Sequence, residues 1–258
     1  MRRVLFIILV LTLAVTSGVT AGESMKGKIK GVVQSRDGKP LSKGMVYFFN
    51  EAIGPSPMPE KYWRVPDVVE PLDDAGTFAV ELPAGTYFIG AILRKGSNEI
   101  IGPPSEGDLY YAGTQKYWVN QSVPSDAGII KGADPFSRSL ITKTAGITAL
   151  EGYVIDEAGK PVENAMVFAH KQSTMNDRPL FVSERTNRDG AFRLRVGEAG
   201  SYYLRIRDIY GGGAPEDGAF MGAYGGKNPK AVTVKTGEVL RGIKLNGEKF
   251  VRPKPGAK

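Results

Sequence analysis

Polar and apolar residues alternate with a period of two in several short stretches of this chain. Ile29, Gly31 and Val33 share one side of such a stretch, and Leu150, Gly152 and Val154 share one side of another. That period is the signature of a strand with one buried face. Phe78, Val80 and Leu82 are followed across a short turn by Tyr87, Ile89 and Ala91. Phe192, Leu194 and Val196 are followed in the same way by Tyr202, Leu204 and Ile206. Each set predicts a hairpin with one apolar row. A fully buried side chain of this size contributes ~1.5–3 kcal/mol, so each row suffices for a core of its own. No segment carries a helical period. Short strands punctuated by Gly, Asp and Pro predict an all-β chain of two β-sandwiches in tandem.

The two halves repeat one another. "KGVVQSRDGKPLSKGMVYFF" (Lys30–Phe49) returns as "EGYVIDEAGKPVENAMVFAH" (Glu151–His170), and Leu72–Leu93 returns as Thr186–Asp208. In both copies a glycine, Gly38 or Gly159, stands where a hairpin turn needs positive φ, with Pro40 or Pro161 just beyond it. A doubled string of this kind marks a doubled structural unit. We place the first unit at residues 22–148, with insertions at 50–71 and 94–148, and the second at 149–246. The junction falls near Ile147–Leu150, and each unit is expected to fold on its own. Residues 247–258, rich in Lys and Pro, read as a disordered tail.

Met1, Arg2 and Arg3 precede an apolar run from Val4 to Val15 that ends in small residues, with Val19 and Ala21 where a signal peptidase accepts them. Residues 1–21 therefore read as a secretory signal peptide, too short to serve as a membrane-spanning helix of ~20 residues. Cleavage takes Lys+Arg from 34 to 32 against 27 Asp+Glu, a balance of +5. The basic residues are scattered, which together with export argues against nucleic acid as a partner. With no cysteine, the chain has neither disulfides nor a lipidation site, and stability must come from packed cores. The expected location is the periplasm or the cell exterior, without a transmembrane anchor after cleavage.

The strings G-x-V, D-G-K-P or A-G-K-P, G-M-V or A-M-V, D-A-G-T-F or R-D-G-A-F, and A-G-T-Y or A-G-S-Y together resemble the carboxypeptidase regulatory-like, or transthyretin-like, domain. The resemblance implies an Ig-like Greek-key β-sandwich in each half. In that family the module is an accessory or building-block domain whose motif residues are structural, so no catalytic group is implied.

An enzymatic reading stands on its own residues. Zinc hydrolysis needs several His and Glu ligands, and the chain has one histidine, His170, read as a solvated or packed rim residue. No G-x-S-x-G string is present. "GAYGGKN" (Gly222–Asn228) departs from a phosphate loop at Met221 and Asn228, and "NRDG" and "LDDAG" read as turns rather than calcium loops at Asp189, Asp73 or Asp74. We expect no catalytic residue, no cofactor and no metal.

The outward faces of the matched hairpins differ. The second copy points Arg193, Arg195, Tyr203, Arg205 and Arg207 outward where the first has Ala79, Glu81, Phe88, Gly90 and Ile92. The arginine row reads as a solvated face or an anion-binding surface, and the apolar Phe88 and Ile92 need a cover. The cover is an inserted segment, the second unit or another protein. The insertions carry Tyr62, Trp63, Tyr110, Tyr111, Tyr117 and Trp118, which either supply that cover or anchor a ligand. Flanking prolines favour Trp63 as packed, and polar neighbours favour Trp118 as available. The candidate binding residues are these six aromatics with Arg193, Arg195, Tyr203 and Arg205. The function expected is non-catalytic binding or assembly in the bacterial envelope or on the cell surface, with an envelope or extracellular protein or a glycan as partner. The alternatives are a carbohydrate-binding module that uses the loop aromatics, and an enzyme of unrecognised mechanism.

Overall fold

The computed structural model describes residues 25–96, 102–142, 146–210 and 214–252. The leader at 1–21 lies outside these residues. The chain is almost wholly β, in two sheets with separate cores.

The first unit comprises β1 (Lys26–Ser35), β2 (Met45–Asn50), β3 (Val68–Pro71), β4 (Thr77–Pro83), β5 (Gly85–Leu93), β6 (Leu109–Val119) and β7 (Ser125–Pro135), hydrogen-bonded in the order β3-β2-β5-β6-β7-β1-β4. β6 meets β7 only at Leu109–Pro135 and Tyr110–Asp134, so the sheet folds over on itself there. The two layers close on one core, with Ile29 and Val33 from β1, Phe78 and Leu82 from β4, and Tyr87 and Ile89 from β5. The alternation in the sequence names this inward face correctly.

A single helical turn, α1 (Ser139–Thr142), precedes the second unit. That unit comprises β8 (Thr148–Ile155), β9 (Met166–His170), β10 (Phe181–Val182), β11 (Ala191–Val196), β12 (Gly200–Arg207), β13 (Phe220–Ala223), β14 (Ala231–Val234) and β15 (Val239–Lys249). Its order, β10-β9-β12-β13-β15-β8-β11, reproduces the first unit strand for strand, with β14 added beside part of β12. In both units the first strand runs parallel to the last. Both also close a hairpin with a tyrosine: the Tyr87 hydroxyl donates to the Pro83 carbonyl at 2.9 Å, and that of Tyr202 to Glu198 at 2.8 Å.

Two boundaries differ from the sequence reading. Residues 94–148 are not an insertion, because they hold β6 and β7, the counterparts of β13 and β15. The repeat signal is weak there because main-chain pairing, which does not depend on side-chain identity, places these strands. Gly247 and Lys249 likewise belong to no disordered tail, since they pair with Gly222 and Phe220 of β13. The loop 51–67 is much longer than its counterpart at 171–180.

That loop joins the units. Tyr62 enters the second unit's core at its edge, against Phe181. The next residues run antiparallel beside β10, where Val65 N–H donates to the Leu180 carbonyl at 2.9 Å and Val182 N–H to the Trp63 carbonyl at 3.1 Å. Phe88 and Ile92, 6% and 0% exposed, form a small cluster with Tyr47 and Phe49. Beside that cluster lie Trp63, the Gly102–Pro104 segment and Tyr210, so both an inserted loop and the second unit take part in the cover.

Candidate functional site

The join builds a cleft. Arg64 is the buried anchor of the 51–67 loop: its guanidinium donates to the Gly54, Pro55 and Asn50 carbonyls and to Asp67 Oδ2 at 3.0 Å. Asp67 also accepts the Asn50 N–H at 2.6 Å. Burial pushes the Asp67 carboxyl up and the Arg64 guanidinium down, and their contact opposes both shifts. Trp63 stands edge-on to Tyr110 at 5.9 Å between ring centroids and tilts against Phe136 at 5.7 Å. It packs on Met166, Phe168 and Val182 of the second unit. Burial raises the Tyr110 and Tyr210 phenols far above their ordinary value, so both remain neutral.

Past this packed seam the two units diverge around a cleft of about 740 Å³. That lies within the range of ~300–1,000 Å³ usual for ligand pockets. One wall is the backbone from Val65 through Val69, entering β3. The other is the outer face of β9 and β12, where cross-strand register sets Arg205 opposite Phe168 and Tyr203 opposite His170. The 171–180 loop closes one end with Met175, Asp177 and Arg178.

Three guanidinium groups, from Arg178, Arg205 and Arg207, face two carboxylates, Asp67 and Asp177. Both carboxylates are engaged: Asp67 by Arg64, and Asp177 by His170 Nδ1 at 3.2 Å and by the Lys171 N–H at 3.3 Å. Arg178 donates across the join to the Pro66 carbonyl at 2.8 Å, and Arg205 to the Met175 carbonyl at 3.1 Å. These bonds position the two guanidinium groups, and Arg178 also lies in the field of Asp67 and Arg205 in that of Asp177. Burial holds the His170 imidazole below its ordinary range, with Asp177 acting against that shift. The cleft is therefore net positive, floored with apolar surface from Phe168, Met175 and Tyr210, and lined by no serine, threonine or cysteine. That charge suits the holding of an anion.

The sequence-derived candidates scatter. Arg205 lies in the cleft, with Tyr203 half-buried beside it. Arg195 is buried, pointing to the Pro59 and Glu60 carbonyls at 3.4 and 3.3 Å, so it ties the 51–67 loop to the second unit. Arg193 lies on the opposite layer, where it and Arg241 both grip Glu151 beside a shallower hollow of about 390 Å³. The arginine row is thus not one surface, because β11 and β12 belong to different layers of the sandwich. Tyr62 and Trp63, 6% and 5% exposed, are packed in the join. Tyr110, Tyr111 and Tyr117 lie on strand β6, not on a loop, and are half-buried; Tyr111 and Tyr117 pack on the first unit's core. Trp118, on the same strand, is 65% exposed and distant in register from the join.

Sequence reasoning missed Arg64, Asp67, Asp177 and Arg178, and set His170 aside. One signal was within reach. Where the copies match in pattern but not in chemistry, Phe49 against His170 and Gly90 against Arg205, the second copy turns polar on the face that lines the cleft. In the two acidic turns the side-chain oxygens cap the turn backbone. Asp73 Oδ1 accepts the Ala75 and Thr77 N–H groups, and Asn187 Oδ1 those of Asp189 and Ala191. Among the described residues no three His, Cys, Asp or Glu side chains gather as a metal site.

Comparison with protein-family models and with curated proteins finds no match. Among solved structures the chain is similar to the Bacillus anthracis TIE protein, at 15% identity over 88% of this chain and 34% of that one, with a TM-score of 0.27. It is also similar to a streptococcal ancillary pilin, at 16% identity over 90% of this chain and 64% of that one, TM-score 0.25. A shaft pilin of Lactobacillus rhamnosus GG matches at 10% identity over 89% of this chain and all of that one, TM-score 0.23. The chain spans about a third of the first protein and less than two thirds of the second. At these identities the likeness concerns fold alone.

Proposed function

We propose that this chain is an exported, non-catalytic binding or assembly protein of the bacterial envelope or cell surface, built from two regulatory-like β-sandwiches, and that it takes its ligand in the cleft between them. The observation that carries this reading is the cleft's makeup. Arg178 and Arg205 are positioned by neutral carbonyls, both lining carboxylates are already engaged, and apolar surface lies beneath. Three guanidinium groups against two carboxylates leave the lining net positive, which favours a carboxylate or another oxyanion.

The test is binding by the mature chain on arrays of glycans and of peptides, beside the double variant Arg205→Glu, Arg207→Glu. Anionic probes should lead the wild-type signal and fall at least tenfold in the variant. An unchanged variant, or no binding at all, would refute the cleft as the site. The exposed Trp118 ring favours a second reading, in which a sugar stacks on β6. In that case neutral glycans would bind and Trp118→Ala, not the arginine variant, would abolish the signal.

A further inference from the structure

The repeat itself points to what enters the cleft. β10 ends its sheet in the second unit, yet its edge is occupied by Trp63–Val65, which adds to it through two main-chain hydrogen bonds. The counterpart in the first unit is β3, which ends its own sheet, with no further strand paired to it among the described residues. The Leu72 N–H donates to the Gly44 carbonyl at 2.8 Å. Hydrogen-bonded pairs alternate in an antiparallel ladder, so Val46–Glu70 is a bonded pair of β2 and β3, and at the start of the ladder the Phe48 carbonyl accepts the Asp67 N–H at 2.8 Å. The N–H and C=O of Val69, opposite Tyr47, therefore turn away from β2 to the open edge. No hydrogen bond to them is made among the described residues outside the ladder. Val68 and Val69 line the cleft, across from Arg178, Arg205 and Arg207.

We propose that the cleft takes an extended peptide with acidic side chains at alternate positions, which adds to β3 as a further strand. This deepens the binding reading above and rests on it. Strand addition supplies main-chain hydrogen bonds, and alternate side chains of the added strand point to one side. Residues two apart in the ligand thus direct their carboxylates at the arginine wall while the intervening ones face the opposite way. Pro71 lacks an N–H and closes the ladder at its end, so the addition is short, on the scale of the one already made on β10. A glycan offers the charge but not the main-chain ladder, which is why the open edge selects a peptide.

The probe is a blocked heptapeptide of alternating Val and Glu, titrated calorimetrically into the full mature chain. Three comparisons accompany it: the same peptide with Lys for Glu, the same peptide N-methylated at alternate residues, and an oligogalacturonate of matched charge. The Glu peptide should bind, the Lys peptide should not, and N-methylation on one parity should weaken binding at least tenfold while the other parity leaves it intact. Arg205→Glu should weaken the Glu peptide at least tenfold. N-methylation leaves the protein unaltered, so this result is independent of whether any variant folds. Equal binding of both N-methylated forms would overturn strand addition. So would oligogalacturonate binding that depends on Arg205 without any peptide binding, although the anionic cleft would then stand. Failure of every anionic probe would overturn both.

Discussion

The ring of Tyr62, from the loop that leaves β2, stands edge-on to Phe181 at the rim of the other unit, with centroids 5.4 Å apart and planes at 79°. One unit thereby supplies a core residue to the other. The Tyr62 hydroxyl donates to the Ser56 carbonyl at 2.7 Å, which fixes the loop that carries it. Truncating a buried aromatic to alanine costs ~3–5 kcal/mol, so Tyr62→Ala should unfold the second unit at a clearly lower temperature, whereas Tyr62→Phe forfeits only a hydrogen bond worth about 1 kcal/mol. Calorimetry of both variants checks this, with the fragment 149–258 expected to melt like the alanine variant.

The two tryptophans should separate in one experiment. Trp63 is buried among rings from both units, while Trp118 stands in solvent. Trp63→Ala should cost ~3–5 kcal/mol, and Trp118→Ala should stay within about 0.5 kcal/mol of wild type. Trp63 Nε1 has no hydrogen-bond partner, so Trp63→Phe should be far milder than the alanine change. Fluorescence of the single-tryptophan variants should place Trp63 to the blue of Trp118.

Gly159 and Gly190 both hold positive φ, at 77° and 71°. Around Gly159 a Cβ would meet nothing within 4 Å, whereas at Gly190 it would lie 2.4 Å from the Val154 carbonyl oxygen. Gly159→Ala should therefore cost only the backbone preference, about 1 kcal/mol, and Gly190→Ala that plus the displacement of a strand, ~1–3 kcal/mol more. Urea midpoints of the two variants should rank accordingly; equal midpoints would contradict the packing at Gly190.

His170 makes stability depend on pH. Burial, the dominant cause, lowers its folded pKa below the ordinary 6.5, so between the two values the unfolded chain binds more protons. Its contribution is fully present above pH 6.5 and declines as pH falls through the folded pKa. Asp67, raised by burial, acts in the opposite sense and regains stability as pH falls toward 3.8. Thermal midpoints between pH 7.5 and 5 should fall more steeply in wild type than in His170→Gln.

The sequence by itself determined the all-β class, the two copies and their inward faces. Ile29, Phe78 and Tyr87 bury because a strand's period of two sends alternate side chains to one side, which is a local property of the chain. Positive φ at Gly38 and Gly159 follows from a turn a few residues long and was equally legible. Only the tertiary structure decided which outward faces meet. Arg193 and Arg205 occupy matching positions in adjacent strands of sequence, yet they lie on different layers because β11 pairs with β8 while β12 pairs with β9. The burial of Tyr62 in the second unit's core and the docking of Trp63–Val65 on β10 both depend on a loop of one unit crossing to the other. No local period encodes such a crossing: its energy lies in contacts between residues more than a hundred positions apart in the chain, such as Arg178 with Pro66.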